Sequence, residues 1–165
     1  MRTSSIVGAA FLGIATGLRS ITGLAALSQA ARRQLVEVPF AWLGSEKVAE
    51  GLAIAAGAEY LGDKLPFVPA RTETGPLAGR MLFGALCGAL VAEPESRAAA
   101  MVAGVIGAAG AAFAGFHMRR RITQDGAMDL PVALAEDAIA ITFAAAGIAV
   151  ASFRRDRQRR PLRAS

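Results

Sequence analysis

The chain has one cysteine, one histidine and one tryptophan among 165 residues, and only 19% of its residues are charged. A lone cysteine, Cys87, excludes an intrachain disulfide. Set in an apolar run, it reads as a small hydrophobe. A lone histidine, His117, excludes a histidine-rich metal site within one chain. It ends an apolar run beside three arginines, which suits an interfacial hydrogen-bonding role better than catalysis. HExxH, CxxC, GxSxG and GxxxxGKS/T are all missing. No cofactor or metal is therefore expected, and an enzyme is the less favoured class. Aromatic residues make up 6% and form no interleaved platform, which argues against nucleic acid as a partner despite the net charge of +5. The low charge and the 54% hydrophobic content also set the chain apart from an ordinary soluble domain.

What the chain does have is long apolar runs. Ala98–Met118 is 21 residues long, and His117 is its only ionisable side chain. At about 1.5 Å per residue a helix of that length crosses the roughly 30 Å hydrocarbon core of a bilayer. It ends at Arg119, Arg120 and Arg121. Four companions flank it: Ile6 to about Leu27, Val48 to about Leu61, Pro76 to Ala92, and Pro131 to Ala151. The expected architecture is all-α: a polytopic transmembrane helical bundle of four or five apolar segments, with a broken or re-entrant helix as one option. Residues 1–153 read as a single membrane domain and 154–165 as a basic tail, which holds six of the 18 lysines and arginines. The apolar start after Arg2 is interrupted by Arg19, so it reads as a retained first segment and not a cleaved signal. Residues 34–47, with Pro39 and Trp42, read as an interfacial connector. Glu93, Pro94 and Glu95 join the third and fourth segments in a tight hairpin.

Small residues mark where helices can approach closely. Gly13 with Gly17 and Gly84 with Gly88 are GxxxG pairs, and Gly104, Gly107 and Gly110 recur at every third position. Exposed small-residue faces on so small a bundle point to a homo-oligomer. If all five segments cross, positive charge favours an outside N-terminus and an inside C-terminus, with Arg119–Arg121 as counter-evidence.

The chemistry lies in ionisable residues within or beside the apolar segments: Arg19, Glu59, Asp63, Arg80, Glu136 and Asp137. Gly17 and Gly23 bracket Arg19, Ser20 and Thr22 at mid-segment, where a broken helix could present free backbone groups. An uncompensated arginine at that depth costs at least roughly 2.5–3.5 kcal/mol, so Arg19 is expected to meet Asp63, Glu136 or Asp137. Glu136 and Asp137 have a plainer reading, as acids favoured near a helix N-terminus.

GLRSITGLAAL at 17–27, EYLGDKLPFVPAR at 59–71, GR at 79–80 and ALAEDAIAI at 133–141 resemble a family of small bacterial integral membrane proteins known as a domain of unknown function. The resemblance implies a helical membrane protein, with Arg19, Thr22, Asp63, Lys64, Pro66, Arg71, Arg80, Glu136 and Asp137 as its polar core, and implies no reaction. Three functional readings follow: transport of an ion or small charged solute, a membrane scaffold or accessory subunit, and a lipid-acting enzyme using a carboxylate and an arginine. Membrane lipids are the expected surroundings, in a bacterial cytoplasmic membrane crossed several times.

Overall fold

A computed structural model describes residues 2–62, 74–124 and 129–159, and the expected positions Asp63, Lys64, Pro66 and Arg71 lie outside them. Six α-helices account for almost all of it: α1 (Arg2–Leu18), α2 (Thr22–Arg32), α3 (Glu46–Gly62), α4 (Thr74–Val91), α5 (Arg97–Gln124) and α6 (Asp129–Arg159). Short 3-10 turns at Ala41–Gly44 and Pro94–Ser96 precede α3 and α5. Helices 74–91, 94–122 and 131–152 are long and apolar enough to cross a membrane, and 3–18 is a shorter apolar helix. The chain is a multi-pass membrane protein of all-α architecture.

The first apolar segment is not one crossing. It breaks at residues 19–21, and α2 doubles back along α1. A Cβ on Gly23 would lie 2.8 Å from the Leu12 carbonyl oxygen and 2.6 Å from the Thr16 methyl, so only glycine lets α2 lie this close to α1. Leu24, Leu27 and Ala30 of α2 then share one buried cluster with Ala9 and Leu12 of α1. Of the two expected options for this segment, a single crossing or a broken helix, the chain takes the broken one. Gly8 near the start of α1 faces Gly147 and Val150 of α6, so the start of α1 and the C-terminal part of α6 lie at one side.

The long apolar run at Ala98–Met118 forms the body of α5, yet the helix at the centre is α1, which packs against α4, α5 and α6. Ala9, Leu12, Ala15 and Thr16 of α1 are fully buried. Small residues make this possible. A Cβ on Gly13 would run into the Gly104 backbone, one on Gly17 into Ala108, one on Gly84 into Gly104, and one on Gly88 into Ala100. Gly107 abuts Ala10 and Ile14. Gly110 has no such neighbour within 4 Å. Three residues turn a helix by about 300°, so each step of the repeat slips about 60°, and Gly110 has rotated off the face that Gly104 occupies.

Two ends of helices are built from local rules. Pro76 sits in the first turn of α4, where its missing N–H has no partner to lose. The end of α2 is a Schellman turn: Gln34 N–H donates to Ala31 O, Leu35 N–H to Ala30 O, and Gln34 takes φ 57°, the one non-glycine positive φ among the described residues.

Candidate functional site

The break between α1 and α2 is the centre of the polar interior. Arg19 N–H still donates to Ala15 O, Thr22 N–H turns back to Arg19 O, and regular helix resumes with Ala25 N–H to Ile21 O. The amides of Ser20 and Ile21 have thereby lost their helical acceptors, and carbonyls at the end of α1 have lost their donors. In hydrocarbon each such group must find a partner within the protein.

Two charged side chains from other helices supply them. The Glu59 carboxylate of α3 accepts from both amides, Ser20 N–H to Oε1 at 2.6 Å and Ile21 N–H to Oε2 at 3.0 Å. That is the favoured place for an anion, at the positive start of α2. Arg80 of α4 donates from Nη1 to the Gly17 carbonyl at 2.7 Å, at the negative end of α1. Its Nη2 lies 3.8 Å from Glu59 Oε1, so the two caps also face each other.

Arg19 occupies the turn itself with no solvent exposure. Its Nε donates to Asp137 Oδ1 of α6 at 2.6 Å, and its guanidinium lies 5.4 Å from the centre of the Tyr60 ring. The Tyr60 hydroxyl lies 2.8 Å from Thr22 Oγ1. Among the described residues, four of the expected ones thus meet as opposite charges, Arg19 with Asp137 and Arg80 with Glu59.

Glu136 points elsewhere, because adjacent helical positions diverge by about 100°. It is buried and pairs at 3.8 Å with Arg119 of α5. His117 is exposed on α5, away from the turn, and Cys87 is buried in α4. Among the described residues no group of three metal-ligating side chains stands together.

The depth of the turn follows from its neighbours. Leu18 packs with Ala111 of α5 and Ala140 of α6. Ala111 lies seven residues from Met118 and thirteen from Ala98, so the turn sits about 10 Å from one end of the apolar run and about 20 Å from the other.

Tyr60 belongs to this interior, and Arg119 holds the buried Glu136 away from it; neither was singled out as a site residue by sequence reasoning. Tyr60 carried a signal: a polar aromatic next to Glu59 near the end of an otherwise alanine-rich helix. The Gly8–Gly147 contact had none, since the two glycines lie in different segments and neither forms a motif.

The chain belongs to the family described as a domain of unknown function, DUF4126, whose model matches residues 6–153. The matched range takes in the whole described site, from Arg19 to Asp137. No curated protein and no solved structure matches the chain.

Proposed function

We propose that the protein moves a small ion or charged solute across the membrane, and that the α1–α2 turn is where that solute is held. The observation that carries this reading is the Glu59 carboxylate seated on the Ser20 and Ile21 amides, 3.8 Å from Arg80. Discontinuous helices that meet inside a membrane are a recurring transporter device, because their ends offer backbone groups to a solute. Here the chain's own carboxylate occupies the anion position. An incoming anion would take the amides and Arg80 while Glu59 withdraws, and a proton arriving at Glu59 would weaken its hold on both amides. Packing alone needs no interrupted helix and no buried charges, since the small residues already bring α1, α4 and α5 together.

A homo-oligomer in a bacterial cytoplasmic membrane is the setting this reading assumes. Gly51, Gly57 and Gly110 have open space beyond them, where another copy could approach. The second reading, an accessory subunit without transport, draws on the direct Arg19–Asp137 contact, which locks α1 to α6 whether or not anything passes.

The test is reconstitution into proteoliposomes, with an interior pH dye and a chloride electrode as readouts under an imposed potential. Wild type is expected to pass protons or chloride above protein-free vesicles. Glu59→Gln is expected to lose that flux while eluting from gel filtration as wild type does. Folded wild type that passes neither ion, nor sodium or potassium, would overturn the transport reading and leave the accessory role.

A further inference from the structure

A groove of about 370 Å³ runs between α2 and α6, remote from the Arg19 turn. Its walls are apolar and mostly small, with Ala26 and Ala30 on one side, Ala145, Ile148 and Ala149 on the other, and Leu35 at one end. Arg33, Gln29 and Ser152 give the same end a polar mouth. The Schellman turn at Gln34 is what brings Arg33 and Leu35 there together, by reversing the chain within two residues.

Depth and charge say what fits. Gly8 of α1 lies against Gly147 of α6, and α1 runs parallel to α5 with Gly13 against Gly104. The mouth at Ala149 and Ser152 is therefore level with the start of the apolar run at Ala98, at the membrane edge. Neighbouring Arg32 is held by Glu46 at 2.7 Å, whereas no ion pair holds the exposed Arg33 among the described residues. The same end of the bundle carries Arg2, Lys47 and Arg97, and α6 continues through Arg154 and Arg155 to Arg159. An alanine-walled groove open to the bilayer, with a guanidinium at head-group depth, matches a molecule with an anionic head and an apolar tail. Its volume suits part of one acyl chain.

We infer that the α2–α6 groove binds one anionic phospholipid of the leaflet at the arginine-rich end, its phosphate on Arg33 and one acyl chain along the alanine walls. This is independent of whether anything crosses at the Arg19 turn. It makes the lipid a ligand that clasps the re-entrant hairpin to α6.

Native mass spectrometry of the full chain in detergent tests it, with phosphatidylglycerol, phosphatidylcholine of the same chains, or inorganic phosphate added. Wild type is expected to keep one phosphatidylglycerol at collision energies that strip phosphatidylcholine, with no competition from inorganic phosphate. Arg33→Gln should weaken retention about fivefold. Ala149→Trp should abolish it by filling the groove without altering charge, and because Ala149 is exposed the indole need not disturb the core. Ala145→Leu, at a second exposed wall position, serves the same purpose. Equal retention of both lipids by wild type, full competition by inorganic phosphate, or unchanged retention in the two wall variants would overturn the assignment.

Discussion

Asp137 and Arg19 are 118 residues apart in sequence and 2.6 Å apart in space, and the arginine is wholly buried. A guanidinium sealed inside a membrane protein is costly unless an acid lies beside it. The contact ties the tip of the re-entrant hairpin to α6. It lies next to the Glu59–Arg80 pair, so the charges that hold the broken helix form one neighbourhood.

Removing the acid alone should therefore be costly. Asp137→Ala leaves a buried cation without its carboxylate, a change expected to cost about 3–5 kcal/mol. A lowered thermal midpoint in detergent would register it, and the exchanged pair Arg19→Asp with Asp137→Arg should recover part of the loss. An unchanged midpoint in Asp137→Ala would mean the pair contributes nothing to the fold.

The glycines separate by position. Gly84→Leu and Gly13→Leu push a side chain into the Gly104 backbone and should cost at least about 1–3 kcal/mol, read as a lower midpoint or loss of the folded peak in gel filtration. Gly110→Ala meets open space and should be neutral or stabilise by up to about 1 kcal/mol. Equal effects at Gly84 and Gly110 would contradict the packing described.

Topology is open to direct labelling. Among the described residues, the backbone positions of Arg2, Arg32, Arg33, Lys47, Arg97, Arg154, Arg155, Arg157 and Arg159 lie toward one side, against Arg119, Arg120 and Arg121 at the other. By the positive-inside rule, that imbalance predicts that the start of α1 and the end of α6 share the cytoplasmic face. Native Cys87 is buried, so background labelling should be low. An impermeant thiol reagent outside intact cells is expected to modify Arg120→Cys and to spare Thr3→Cys and Ser45→Cys, with the reverse in inverted vesicles. Labelling of Thr3→Cys and Ser45→Cys from opposite sides would show that the first segment crosses after all.

Gln34 holds a left-handed conformation that glycine adopts without penalty. Gln34→Gly should raise stability by about 1 kcal/mol, and the β-branched Gln34→Val should lower it. Thermal melts of the two variants beside wild type give the comparison.

Much of this protein is legible in its sequence. The helical class, the membrane setting, the α4–α5 hairpin and the need for a partner to Arg19 follow from segment length, local turns and the cost of charge in hydrocarbon, all of which are properties of short stretches. Gly17 and Gly23 around Arg19 likewise mark the break. What the helices do after the break is another matter. Whether residues 6–27 cross once or turn back depends on Gly23 finding Leu12 and on Glu59 finding the Ser20 and Ile21 amides, contacts between helices whose order in space no local pattern encodes. The same holds for which acid meets Arg19. Glu136 and Asp137 are equivalent by charge and position in sequence, and only the rotation of α6 against α1, set by Gly8 and Gly147, turns Asp137 inward and leaves Glu136 to Arg119. Composition and spacing determined that this chain is a helical membrane protein with charges it must pair. The packing of backbone against backbone at its glycines decided which charges pair and where the chain turns, because at that range a single methyl group is enough to forbid an arrangement.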